Sequence, residues 1–503
     1  METTKLESAL EKQEDIHMEE TDSFLYAPTT WKNYAITIIL CSGSFLYGYT
    51  SNVISGALAL SSFSSKFLAD NESSRTGGIV GLFYAGGVAG ALIQQPISDR
   101  YGRRAAMITA GLFLLLGSAL QAGSVVYSMF AVARFIAGIG SSIGFTVPPV
   151  FISELAPPHS RGKLVSFHVV SFNCGYLISA LASLGFSYIS GSYQWRLNFA
   201  MNTVAAVALI VFIYFVPESP RWLVSQDRVD EATQILMNLR KTKDDPSGSI
   251  CFAEIAEIQQ EAEATKNLER GYRHILRTPS HRKRALCTLL VWFTGMSTGV
   301  MVIAVLSTLL FAGLGYNSSG SQFALSAGWL CCCILSAAIG GFFVDRGGRV
   351  LFMVIGAAAC VITMSVETAA QAKWLGTNNK AGNATAVAFY FLFAAVYNGF
   401  YDTGSFCYTA EIWPNHLRSE GVTIAMVTFY LVNITWATPA SVALANIGWK
   451  FYLVFISLTT VNAFVLWFYL PETKGLTLEE VGVRFGDIPN VGSNNEKEIE
   501  KVG

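Results

Sequence analysis

The sequence predicts an all-α membrane protein of twelve transmembrane helices, arranged as two six-helix bundles related by a pseudo-twofold. Three observations predict it. Of 503 residues, 52% are hydrophobic and only 14% are charged, against about 25% charged in an ordinary soluble domain. Twelve apolar runs are long enough to cross a bilayer, which takes about 20 residues. The same short charged motifs recur at matching places in the two halves. A formal charge of −1 and these apolar runs exclude a soluble enzyme, a disordered chain and a basic nucleic-acid binder.

The chain opens on a polar, acidic stretch. No apolar core follows a basic start, so 1–32 reads as a disordered cytosolic tail and not a signal peptide. The first six spans fall at 33–58, 77–97, 105–124, 127–153, 164–189 and 195–216, forming a bundle over 33–216. A polar linker, 217–284, follows. Its apolar residues recur at helical spacing (Ala232, Ile235, Leu236, Leu239; Ile255, Ile258), so it should form short amphipathic helices at the membrane surface. The second bundle, 285–470, holds spans at 285–312, 322–343, 350–370, 386–408, 420–444 and 449–470. Residues 471–503 form a second cytosolic tail.

Orientation follows from loop charge. Arg and Lys crowd into 98–104, 159–163, 221–284, 345–349 and 415–418, which places both termini and the linker in the cytosol. The sequons at Asn71, Asn317 and Asn383 all fall in the opposite loops, as glycosylation requires. Nine cysteines, mostly within apolar runs, read as small packing residues and not a disulfide framework. His17 and His159 read as solvated polar residues. No metal cluster, nucleophile–base pattern or phosphate loop appears, so neither an enzyme nor a cofactor is implied.

After span 2 stands Asp99-Arg100-Tyr101-Gly102-Arg103-Arg104; after span 8 stands Asp345-Arg346-Gly347-Gly348-Arg349. Glu154 with Arg161, and Glu411 with Arg418, share one Glu-x6-Arg spacing after spans 4 and 10. Such repetition implies two homologous bundles. Glycine lets the chain reverse between helices, and the acids and arginines can pair between helix ends. Pairs across the halves would latch the cytosolic side. A purely topogenic role for the arginines is the alternative.

With Pro217-Glu218-Ser219-Pro220-Arg221-Trp222-Leu223 after span 6 and Pro471-Glu472-Thr473-Lys474-Gly475 after span 12, the combination resembles the sugar porter family of the major facilitator superfamily. The resemblance covers 33–482. Val396-Tyr397-Asn398 and Asn446-Ile447-Gly448-Trp449-Lys450-Phe451-Tyr452 look most like the fungal lactose-permease, cellodextrin and hexose transporter branch. The resemblance implies the major facilitator fold, alternating access around a mid-membrane site, a monomer in the plasma membrane, and a small solute such as a sugar or polyol. It assigns gating to Asp99, Arg100, Gly102, Arg103, Arg134, Glu154, Arg161, Glu218, Arg221, Asp345, Arg346, Arg349, Glu411 and Arg418. The first turn departs at its leading glycine, where Gln95 stands; the second keeps Gly341.

The substrate positions depart further. The family's span 5 glutamine is Val169, and its span 7 amides become Val291 and Trp292, with Ser297 in place of Asn. Tyr401-Asp402-Thr403 replaces Trp-Gly-Pro in span 10, and Phe406 replaces a later Trp. Only Asn433 matches a family amide. Three lost hydrogen bonds, at roughly 0.5–1.5 kcal/mol each, would cost roughly one to three decades of hexose affinity. Asn52, His168, Asn173, Tyr176, Trp292, Ser297, Asn398, Tyr401 and Asp402 are the candidates to compensate. Each can equally make a helix–helix hydrogen bond.

Thr50 replaces the span 1 acid of proton-coupled members, which favours facilitated diffusion. Asp402, an acid inside span 10, is a functional candidate by default and the alternative coupling site. A sugar or polyol carrier is therefore the leading reading. A carrier or exporter of a less polar metabolite is the runner-up. A non-transporting nutrient sensor is disfavoured by the short tail after Pro471.

Overall fold

The computed structural model describes residues 29–157, 160–240, 248–266, 268–374, 377, 379–474, 476 and 478–487. His17, His159, Gly475 and most of both predicted tails lie outside the described residues, as do the side chains of Asp345 and Arg346.

The first half runs α1 (Trp31–Leu58), a short α2 (Ser61–Phe67), α3 (Glu72–Tyr101), α4 (Arg103–Gly123), α5 (Tyr127–Leu155), α6 (Arg161–Ser187) and α7 (Tyr193–Ile213). Four short helices follow: α8 (Pro220–Ser225), α9 (Val229–Arg240), α10 (Ser249–Lys266) and α11 (Tyr272–Arg277). The second half runs α12 (Pro279–Ser297), α13 (Val300–Gly313), α14 (Ser319–Gly347), α15 (Arg349–Trp374), α16 (Lys380–Val396), a wide turn at Tyr397–Asp402, α17 (Thr403–Glu411), α18 (Arg418–Ile447) and α19 (Tyr452–Tyr469), with a final α20 (Leu478–Phe485).

Among the described residues, ten stretches have the length and composition to cross a membrane. One of them, Arg418–Tyr469, contains both α18 and α19. Counting these separately and adding the 28-residue α1 gives twelve spans in two groups of six. Two spans are not single helices. The seventh breaks at Thr298-Gly299 into α12 and α13. The tenth widens at Tyr397–Asp402 into a π-helical turn, a feature frequent at functional sites.

The outer faces carry large apolar side chains such as Leu112, Val204, Ile362 and Phe468. That is the arrangement a lipid-facing wall requires. The cysteines are all free thiols, five of them buried. Between the halves, α3 packs along α18, α6 along α14, and α1 against α13. Near the linker end, Gln94 Nε2 donates to Thr423 Oγ1 at 3.2 Å. At the opposite end, Ser441 Oγ donates to the Ser73 carbonyl at 2.6 Å and Thr308 Oγ1 to the Ser55 carbonyl at 2.9 Å. Hydrogen bonds thus join the halves at both ends.

At the linker end, α20 is held by apolar and charged contacts together. Phe485 lies under the Arg284 guanidinium at 5.0 Å. Arg284 also pairs with Asp487 at 2.5 and 3.0 Å, and Ser280 Oγ donates to the same carboxylate at 2.6 Å. Burial works against the Asp487 carboxylate, but these donors outweigh it and hold its pKa below the ordinary value.

Two predictions follow from these contacts. A side chain at Gly340 of α14 would strike the Gly399 carbonyl in the wide turn, whereas neighbouring Gly341 faces open space. Gly340→Val should destabilise by about 1–3 kcal/mol, read as a lower melting temperature in detergent, while Gly341→Ala should leave it unchanged. For α20, a depressed carboxylate pKa stabilises fully above the unfolded value of about 3.9 and is lost as pH falls through the folded value. Hydrogen exchange of α20 should therefore stay slow from neutral pH down to that range. Asp487→Asn should speed it at neutral pH by about 1 kcal/mol.

Candidate functional site

Each half carries the same turn at its linker face. Gly102 (φ 98°) and Gly348 (φ 89°) reverse the chain between α3 and α4 and between α14 and α15. A side chain at either would collide with a glutamate: Glu218 at the first, Glu472 at the second. These glutamates cap the helices that follow. Glu218 accepts the backbone N–H groups of Arg103 at 3.0 Å and Arg104 at 3.2 Å. Glu472 accepts those of Arg349 at 2.8 Å and Val350 at 3.0 Å. The free N–H groups and positive dipole end of a helix favour an anion there. Burial still pushes the Glu218 carboxyl above its ordinary pKa, against the pull of these N–H donors.

Among the described residues, the ion pairs of these motifs lie within a half or within the linker, not across halves as a latch between bundles would require. Arg103 makes a two-pronged contact with Glu154, Nε to Oε2 at 2.9 Å and Nη2 to Oε1 at 3.0 Å. Arg349 pairs with Glu411 at 2.9 Å, and Thr473 Oγ1 donates to Glu411 Oε2 at 2.6 Å. Asp99 stands 3.5 Å from Arg103 and is half exposed. Arg100 lies at the surface over Tyr101. Arg221 pairs with Glu261 of α10 at 2.7 Å, not with Glu218. Arg161 and Arg418 make no ion pair with the glutamates that share their motif, and the Nε of each is buried without a hydrogen-bond partner.

Arg134, on α5, is buried. Its Nη1 donates to the Thr50 carbonyl at 2.9 Å, and its guanidinium lies over Phe83 at 4.2 Å. No described carboxylate pairs with it. The Thr50 hydroxyl accepts from Asn202 Nδ2 at 2.9 Å, so the position of the family acid is filled by a neutral bond.

Between the ends so joined lies a cavity of about 50 Å³. Both halves line it: Asn173, Tyr176, Phe145 and Phe172 from one, Trp292, Asn398, Asp402 and Phe406 from the other. Trp292 meets Phe406 edge-on at 5.0 Å and Phe429 at 5.9 Å. Tyr47 lies against Phe145 at 4.2 Å.

Of the predicted substrate residues, Asn173, Tyr176, Trp292, Asn398 and Asp402 line this cavity. Several already have partners. Asn173 Nδ2 donates to the Val169 carbonyl at 3.0 Å and Asn398 Nδ2 to that of Ala394 at 2.9 Å. Tyr176 donates to Ser51 Oγ, and Trp292 Nε1 to Thr409 Oγ1. Of the other five, Asn52, Tyr401, His168 and Ser297 join neighbouring helices, while Asn433 bonds within its own helix. Asn52 Nδ2 bonds the Tyr176 carbonyl, Tyr401 the Val291 carbonyl and Asn433 the Phe429 carbonyl. His168 Nδ1 meets Ser44 Oγ at 2.6 Å, behind the Phe145 ring. Ser297 accepts from Trp436 Nε1. The aromatic lining residues Tyr47, Phe145, Phe172, Tyr397 and Phe429 were not anticipated; their one signal is an aromatic at mid-span. Of the sequons, Asn71 and Asn317 are exposed, whereas Asn383 lies half-buried in the first turn of α16.

Two six-helix halves closing on a buried mid-span cavity define a membrane transporter of the major facilitator class, not an enzyme. The family described as "Sugar (and other) transporter" matches residues 36–485, and the chain belongs to it. It is 32% identical to the MFS-type transporter criB of Aspergillus cristatus, covering 90% of this chain and 92% of that protein. It is 26% identical to a high-affinity glucose transporter of Kluyveromyces lactis, covering 90% and 85%. Its fold matches that of the proton:xylose symporter XylE bound to 6-bromo-6-deoxy-D-glucose, with TM-score 0.76, 23% identity, and coverage of 91% of this chain and 100% of that one.

Removing one partner of the Arg103–Glu154 pair forfeits charge-assisted bonds of about 1.5–3 kcal/mol. Arg103→Ala and Glu154→Ala should each slow transport about tenfold or more. Surface biotinylation should show a much smaller loss of protein. Normal transport by both variants would remove the gating role.

Proposed function

We propose that this protein carries a sugar or related polyol across the membrane by alternating access, the two bundles rocking about the central cavity. The observation that carries this reading is the cavity itself: it draws on both halves, lies between hydrogen bonds that join them at each end, and combines aromatic faces with a few polar edges. A pyranose has C–H faces that stack on rings and hydroxyl edges that need donors and acceptors. A cavity of about 50 Å³ holds only a few waters. Solute therefore enters when one end opens and the walls separate.

Thr50, bonded to Asn202, cannot exchange a proton at physiological pH, which supports facilitated diffusion. Asp402 is the alternative proton site. Arginine-rich loops support a cytosolic linker and cytosolic termini, with bundles over 33–216 and 285–470. A monomer in the plasma membrane is the family's default. A second reading, a less polar metabolite, is favoured by one specific feature: the cavity amides of Asn173 and Asn398 are bonded to their own helices, leaving a mostly apolar wall.

The test is uptake of labelled hexoses, pentoses, disaccharides and polyols into yeast lacking hexose uptake, with and without a protonophore. Saturable, protonophore-insensitive uptake is expected. Sensitive uptake would make Asp402 the coupling site. No uptake with protein at the surface would overturn the sugar reading in favour of the second.

A further inference from the structure

Asp402 is 7% exposed and lines the cavity. Among the described residues its carboxylate has no hydrogen-bond or ion-pair partner, and no Lys, Arg or His lines the cavity with it. Of the basic side chains buried in the first half, Arg134 donates to the Thr50 carbonyl and His168 is bonded to Ser44. A carboxylate within a membrane is costly unless it is paired, protonated or wet. Around it stand rings: Trp292 meets Phe406 and Phe429 edge-on, at 85° and 82°, and Tyr397 lines the same cavity. Aromatic faces attract cations, more strongly where water is excluded. One acid in an aromatic box lacks only a positive charge. A neutral sugar does not supply it.

We propose that the cavity takes an organic cation: a ring-bearing amine whose ammonium pairs with Asp402 while its ring lies among Trp292, Phe406 and Phe429. This rests on the less polar reading above and narrows it to a solute with a basic nitrogen. The ammonium replaces in the bound state the counter-ion that the protein does not provide, and the ring fills the apolar remainder of the site.

The experiment is thermal unfolding of the purified full chain at neutral pH with matched probes: tryptamine against its neutral alcohol analogue tryptophol, and glucosamine against glucose. Tryptamine should raise the melting temperature and tryptophol should not. Asp402→Asn should weaken the tryptamine response about tenfold or more, while Asp402→Glu retains it. Should Asp402→Asn fail to give a monodisperse protein, the comparison of amine with alcohol in the unaltered chain still decides. Equal stabilisation by tryptophol would overturn the inference and leave the less polar reading standing. Stabilisation by glucose alone would overturn both. No response to either amine would also overturn it.

Discussion

A carboxylate seated on a helix N-terminus is the contact on which the linker face of each half depends. Glu218 and Glu472 follow the last span of their half and cap the helix that opens its second hairpin. Each thereby ties the sixth helix of a bundle to its third. Glycine is required at the turn because the carboxylate occupies the space a side chain would fill. The arginine that follows, its backbone held by that cap, can turn its guanidinium to the glutamate at the end of the fourth helix. Two motifs far apart in sequence, the charged turn and the Pro-Glu pair, are thus parts of one device. Its repetition makes the two bundles alike at this face.

The two halves are joined by weak bonds used sparingly. The ends of their interface are joined by hydroxyls and one amide, neutral groups worth about 0.5–1.5 kcal/mol each. Among the described residues, the strong charge pairs lie inside the halves and inside the linker. Opening one end therefore breaks little while each bundle stays rigid, which is what rocking of intact units requires.

The spans were legible because bilayer thickness sets a length that apolar runs must meet. The repeat was legible because charge is rare in such a chain and its spacing stands out. The break at Thr298-Gly299 and the wide turn at Tyr397–Asp402 were not legible, since one extra residue in a turn leaves hydropathy unchanged. Partners of mid-span polar residues were only half legible. Asn433 and Tyr401 resemble ligand contacts in sequence, yet both bond carbonyls nearby, as polar side chains in lipid tend to do. Asp402 stood out because an acid inside a span is costly unless paired, protonated or wet, and among the described residues no side chain bonds it. The pairing of Arg103 with Glu154 needed the fold, because sequence spacing offered Arg161 equally.

Arg134 carries a further consequence. Arginine stays charged in proteins, and here a threonine stands where an acid would cancel it. The first bundle therefore holds a fixed positive charge within the membrane's electric field. Any rocking that shifts this helix along the membrane normal moves that charge, at about 2.3 kcal/mol for a full crossing at 100 mV. Even a neutral solute would then be carried by a machine whose reorientation responds to voltage.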